Sequence, residues 1–247
     1  NLSVAIMAHP TRAKFVDALL PQLPGAVVVL DEINDRWDTG RRSMLAFDPT
    51  ADWHLVVQDD AILCRDFLAQ VRRALSELAT GPASFYCGTT AKFGHLRSGE
   101  ALRKAHRSGQ HWLRAPGPYW GPAVAVRTSD IPAMIEWCDL RHGIPNYDRR
   151  MSRYFLSIDR PCWYSVPCLV DHRVGPGKRS LIPGRGHSMG RTAAIWSING
   201  RREWVRAKPA ADKAGAPPPA GQADDKRRPY KPMGKDTHHR THYKRLK

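Results

Sequence analysis

Short apolar runs alternate with longer stretches whose apolar positions recur at helical spacing. Leu2 to Ala8 reads as a first strand, Ala26 to Asp31 as a second and Trp53 to Asp60 as a third. Between them, Thr11 to Leu23 predicts a helix with Thr11 as candidate N-cap, and Asp38 to Phe47 a short helix capped by Asp38 or Thr39. Arg65 to Leu78 is a clear amphipathic helix. Ala83 to Thr89 and Gly121 to Arg127 predict further strands. Ser129 to Asp139 opens with a Ser/Asp cap and carries Pro132 near its start, as helices do. Asn146 to Ile158 is another helix with a polar N-terminus, and Cys162 to His172 a late strand or extended segment.

A β-α-β-α-β opening implies an α/β fold with a mostly parallel sheet and helices on both faces. In such sheets ligands bind outside the carboxyl ends of the strands. Three polar clusters fall at those ends: Ala8-His9-Pro10-Thr11-Arg12, Asp31-Glu32 and Gln58-Asp59-Asp60. Their convergence says more than any one of them alone.

Composition changes near Gly200. Residues 1–200 form the expected folded domain. Residues 201–247 are rich in Pro, Gly, Ala and charge and poor in aliphatics, which predicts a disordered basic tail. His238, His239 and His242 lie within it and read as solvated residues rather than a metal site. No internal repeat is visible. The five cysteines, Cys64, Cys87, Cys138, Cys162 and Cys168, form no Cys-x-x-Cys pair. They read as scattered core thiols in a reducing cytoplasm, inside a host cell if a bacterial virus encodes the chain. No apolar run approaches the roughly 20 residues of a membrane span. The net charge is +16, and the last 47 residues hold 14 Lys/Arg against 5 Asp/Glu. Such a balance favours polyanionic partners without identifying one.

The chemistry centres on Asp59 and Asp60. Adjacent carboxylates repel, so a cation or donor must offset them. A hard divalent cation takes one or two carboxylates together with substrate phosphates and water. Strand alternation would send the two side chains to opposite sides, one toward a ligand and one bracing the loop. The plainer alternative is that Asp60 caps the helix that begins near Arg65.

The apolar strand ending in "VVQDDAILCRDF" resembles the DxD region of GT-A fold glycosyltransferases, and is similar to the "EDD" variant of lipopolysaccharide-type galactosyltransferases. In that family the last acid binds Mn²⁺ or Mg²⁺, which grips the diphosphate of a nucleotide sugar. The resemblance therefore implies a metal role for Asp60 beside Asp59, with a UDP-sugar as the first donor to consider. Gln58 stands where the family usually has an acid. Other segments follow in the family's order. The loop with His9, Thr11 and Arg12 resembles the base loop, and Asp31 the acid near base or ribose. Arg41 and Arg42 lie in a helix similar to the one beside the donor, where an arginine can meet phosphate. Tyr119, Trp120 and Gly121 resemble the acceptor-side segment. Asp148 matches the catalytic base of the "ED" helix, with Tyr147 in place of the preceding Glu. His172 resembles the histidine that completes the metal shell, and Lys178, Arg179 and Ser180 could meet the diphosphate.

Sugar transfer needs a stabilised diphosphate leaving group and, with inversion, a carboxylate that deprotonates the acceptor hydroxyl. If Asp148 is only a helix N-terminal acid, retention stays open. The basic charge points to a polyanionic acceptor, and DNA with hydroxymethylated bases would suit a small enzyme of phage type. Protein, saccharide and lipid-linked acceptors are the alternatives. Two other classes compete. One is a non-catalytic nucleic-acid-binding module, which Gln58 and Tyr147 would suit. The other is a metal-dependent nuclease or phosphotransferase using Asp59, Asp60 and Asp148.

Overall fold

The structure is a computed structural model and describes residues 1–173 and 192–201. The chain runs β1 (Leu2–Ala8), α1 (Ala13–Leu19), β2 (Val27–Leu30), α2 (Arg36–Leu45), β3 (Trp53–Gln58), β4 (Ala61–Leu63), α3 (Phe67–Leu75), β5 (Ala83–Ser84), β6 (Lys92–Phe93), β7 (Leu96–Arg97) and α4 (Ser98–Arg107). It continues through β8 (Trp112–Ala115), β9 (Ala123–Arg127), α5 (Ile131–Asp139), α6 (Tyr147–Ser157), β10 (Cys162–Ser165) and β11 (Val170–His172). The expected disordered tail lies outside the described residues beyond Arg201.

Seven strands form one sheet in the order β2-β1-β3-β9-β5-β10-β8. β2, β1 and β3 are mutually parallel; β9 is antiparallel to both β3 and β5; β10 is parallel to β5 and antiparallel to β8. Five of the seven strands therefore run one way, and the sheet is mixed but mostly parallel. This is the α/β class expected from the sequence. Two antiparallel pairs, β4 with β11 and the hairpin of β6 and β7, stand apart from it.

Alternation along the central strands divides the core. Val4, Ile6, Leu55, Val57, Ala123 and Ala125 pack with Val16 and Leu19 of α1 and Phe67 and Val71 of α3. The residues between them, Ala5, Val56, Val124 and Val126, pack on the other face with Trp37 and Met44 of α2, Met134 of α5, and Met151 and Phe155 of α6. A third cluster joins Leu102 and Ala105 of α4 to Ala115, Cys162 and Tyr164. Fully burying one such aliphatic or aromatic side chain contributes about 1.5–3 kcal/mol. All five cysteines are buried and free, with Cys64, Cys138 and the trio Cys87, Cys162 and Cys168 each in a different cluster.

Several local expectations change. The helix expected over residues 11–23 is shorter, α1 flanked by 3-10 turns at Pro10–Arg12 and Leu20–Gln22. Thr11 does not cap it; His9 caps the first turn by accepting from the Thr11 N–H. α2 is capped by Asp35, which accepts from the N–H groups of Trp37 and Asp38. Asp38 and Thr39 are already inside the helix. The strand expected from Ala83 to Thr89 is regular only at Ala83–Ser84. The late extended segment splits into β10 and β11 around Pro167, which has no N–H to donate to a ladder. Among the described residues no helix is long and apolar enough to cross a membrane.

Candidate functional site

The parallel strands end level with one another. Ala8 pairs with Leu30, and Met7 with Gln58. Each ladder is extended by one bond, from Asp31 N–H to Ala8 O (2.8 Å) and from Asp59 N–H to Met7 O (3.0 Å). His9, Asp31 and Asp59 thus leave the sheet side by side.

β3 stops at Gln58, and Asp59-Asp60 forms a turn into β4. Strand alternation ceases there, so the two carboxylates do not diverge as expected. Both meet one nitrogen of Arg12: Nη1 lies 2.7 Å from Asp59 Oδ1 and 2.9 Å from Asp60 Oδ2. All three side chains are nearly inaccessible, at 11%, 6% and 8% exposure. Burial raises the Asp59 pKa, opposed by the His9 N–H and the Arg12 charge. The two neighbouring carboxylates raise that of Arg12 despite the opposing effect of its burial.

The two acids differ in what remains. Asp59 Oδ2 accepts from the His9 backbone N–H at 2.8 Å, so both of its oxygens are engaged. Asp60 Oδ2 faces Arg12 and His172 Nε2, the latter at 3.3 Å, whereas its Oδ1 is buried with no hydrogen-bond partner among the described residues. β11 pairs antiparallel with β4, with His172 opposite Ala61, and the Arg173 N–H donates to Asp60 O at 2.9 Å. The Nδ1–H of His172 donates to Arg173 O at 3.0 Å. That bond turns Nε2 toward Asp60, as second-shell carbonyls do for metal-ligating histidines. A neutral ring would set two lone pairs against each other across 3.3 Å, so the pair calls for a proton or a cation. Among the described residues no group of three or more His, Cys, Asp or Glu side chains is arranged to hold a metal ion. Asp60 and His172 fit a divalent cation as two ligands, the rest coming from phosphate and water.

Asp31 also carries a buried oxygen, Oδ1, without a partner among the described residues. Thr11 lies against His9, its Oγ1 2.8 Å from the ring Nδ1. Arg42 sits beside the end of β2, donating to Leu30 O (2.8 Å), Glu32 and Asp38. Arg41 turns the other way and makes a two-contact bond with Asp139 through Nε, at 3.0 and 2.9 Å. Lys178, Arg179 and Ser180 lie outside the described residues.

Because β9 is antiparallel to β3, its leading residues arrive at the same sheet end. The Gln58 N–H donates to Pro122 O at 2.9 Å. Tyr147, at the start of α6, is buried there and donates its hydroxyl to Gly121 O at 2.5 Å. The Gln58 side chain lies near this phenol and opposes the rise in its pKa. Gln58 and Tyr147, far apart in the sequence, are therefore neighbours at this sheet end. Burial pushes the Tyr147 phenol pKa up, and the charges of Asp148 and Asp60 push it further. Gly40 and Gly121 make room for this ring; a Cβ on either would come within 2.5 or 2.2 Å of Tyr147 atoms. Asp148 follows on the first turn of α6, half-buried, accepting from the Arg149 N–H at 2.7 Å.

Trp120 packs edge-on against Tyr86 (6.1 Å), whose ring lies 6.2 Å from His172. Tyr119 stacks on Phe93 at 5.7 Å and is partly exposed. Tyr86 and Arg173 join the site without a signal in the sequence pattern. Tyr86 lies in an apolar segment with strand character, and the role of Arg173 is carried by its backbone, which no side-chain pattern reports.

No protein-family model matches the chain, and no curated protein matches it in sequence. Among solved structures it is similar to a mutant Drosophila β1,4-galactosyltransferase 7 in complex with manganese, UDP-Gal and xylobiose. That likeness has 10% sequence identity and a TM-score of 0.37, over 76% of this chain and 82% of the other. At this level it carries no conclusion about the activity of this chain.

Proposed function

We propose that the chain is a divalent-metal-dependent glycosyltransferase that uses a nucleotide-diphosphate sugar, with UDP-sugars the first to test. The observation that carries the reading is two buried carboxylate oxygens without a hydrogen-bond partner among the described residues, Asp31 Oδ1 and Asp60 Oδ1, beyond the ends of β2 and β3, which flank β1. Buried polar atoms are ordinarily hydrogen-bonded, and orphans at a strand-end cleft suit a ligand that supplies donors or a cation. The motif order of the sequence adds the chemical class.

Asp60 and His172 would hold Mn²⁺ or Mg²⁺, which when bound offsets the charge developing on the diphosphate leaving group. Arg12 fixes Asp60 and keeps the acidic turn intact without metal. Asp31 would accept a hydrogen bond from the base or ribose. Asp148 would take the proton of the acceptor hydroxyl, with Tyr119, Trp120 and Gly121 along the acceptor side. Net charge makes DNA with hydroxymethylated bases the first acceptor to assay, with saccharide and protein acceptors alongside. A two-metal nuclease would need Asp59 as a free ligand, and both of its oxygens are already engaged.

The test is calorimetric titration of nucleoside diphosphates, with and without Mn²⁺, into wild type and Asp60→Asn. Binding that requires Mn²⁺ and falls at least tenfold in Asp60→Asn is expected. Absence of nucleotide binding under every condition would overturn the reading.

A further inference from the structure

One edge of the molecule concentrates positive charge. The short hairpin of β6 and β7 sets Lys92 directly across from Arg97. Like charges in that position destabilise a strand pair. Next along the chain, α4 exposes Arg103, Lys104 and Arg107 on one face while Leu102 and Ala105 are buried beneath it. These five cations are exposed, and among the described residues no acid forms an ion pair with any of them. Glu100 is the single acid between residues 92 and 114.

An aromatic platform adjoins these charges. Phe93, from the same hairpin, stacks on Tyr119 with rings 5.7 Å apart and 30° from parallel. Tyr119 is 37% exposed; burial raises its pKa, and the nearby Arg153 charge opposes the rise. Cations that track a backbone, beside an open ring that accepts a base, make the pairing that recognises single-stranded nucleic acid. A membrane surface would ask for exposed apolar side chains among the cations. Residues 92–114 expose no large hydrophobic residue.

We infer that the edge formed by the β6–β7 hairpin, α4 and Tyr119 is a docking surface for a nucleic-acid strand, with phosphates on Lys92, Arg97, Arg103, Lys104 and Arg107 and a base on Tyr119. Tyr119 is shared with the acceptor side proposed above, but the test uses neither donor nor metal, so failure of sugar transfer and failure of this surface are distinguishable. Full-length protein is titrated into a fluorescently labelled single-stranded 20-mer across a salt series, following anisotropy. R103Q/K104Q/R107Q is compared with R240Q/K244Q/R245Q, which removes the same charge elsewhere, and thermal melts check folding.

The α4 variant is expected to bind at least tenfold more weakly and to lower the salt slope by about 2. The charge-matched variant should change much less. Tyr119→Ala is expected to lose about fivefold or more on the single strand and little on a duplex of the same sequence. Equal losses in the two triple variants, or no loss in the α4 variant, would overturn the inference. So would binding to phosphatidylserine vesicles, sensitive to the α4 variant, without binding to the 20-mer.

Discussion

Gly40 offers a test in which local propensity and tertiary packing predict opposite signs. It lies inside α2, where replacing glycine by alanine ordinarily gains about 1 kcal/mol. Here a Cβ would stand 2.5 Å from Tyr147 Cβ and 2.6 Å from its Cγ. The obstacle is the root of a buried side chain, so no rotamer change relieves it. The Tyr147 hydroxyl is bonded to Gly121 O, which resists movement of the ring as a whole. α2 must shift from α6, at a cost near the upper end of the overpacking range, about 3 kcal/mol. The expected net loss for Gly40→Ala is about 2 kcal/mol, or roughly 4–8 °C in Tm for a domain of this size. Gly143→Ala is the control, because nothing lies within 4 Å of its Cβ position. It should be neutral or stabilise by up to about 1 kcal/mol through the unfolded chain. Urea melts of both variants measure the difference. A Gly40→Ala protein as stable as wild type, or more so, would refute the close approach of α2 and α6.

Arg12→Ala should destabilise the fold by about 3–5 kcal/mol, because it leaves two buried carboxylates facing each other. The loss, read from urea melts at several pH values, should shrink at low pH, where the carboxyls protonate, and shrink on adding Mn²⁺. His54 gives a second pH signature. Its ring is fully buried, with Nε2 2.8 Å from Ser43 O and Nδ1 2.8 Å from Ser3 Oγ, and burial depresses its pKa below 6.5. The unfolded chain therefore binds that proton more readily, so stability present above pH 6.5 is lost as pH falls through 6.5 toward the folded value. An NMR titration should find the His54 ring still neutral at pH 6.5, and a ring that titrates at 6.5 or above would contradict its burial.

The strand-end clusters were legible because they depend on chain order alone. Strand alternation puts Val4 and Ile6 on one face and Ala5 on the other, and a parallel β-α-β opening brings His9, Asp31 and Asp59 together. The geometry of the acids was not legible. Alternation holds only within a ladder, and β3 leaves its ladder at Gln58, so Arg12 can gather both carboxylates. The pairing of Gln58 with Tyr147 was hidden for a related reason. The two residues stand 89 positions apart in the sequence, and their nearness is visible only in the fold. The helix α4 is hard to see in the sequence although Ser98 to Arg107 has amphipathic spacing, because Gly99 and dense charge obscure its short apolar stripe. At α2 the competition was among neighbours: Asp35, Asp38 and Thr39 all suit an N-cap, and the choice belongs to backbone geometry.

The scattered thiols have a practical consequence. Burial holds the Cys138 and Cys168 pKa values up at about 12 and those of Cys87 and Cys162 higher still, so thiolate is scarce in the native molecule at neutral pH. Cys64, Cys138 and Cys87 sit in three separate parts of the interior. The chain thus carries its own set of opening gauges. Pulse alkylation followed by peptide mass spectrometry would time the exposure of each part without any introduced label. Equal rates at the three sites would mean that the interior opens as one unit. A faster Cys87 would mean that the α4 edge breathes by itself.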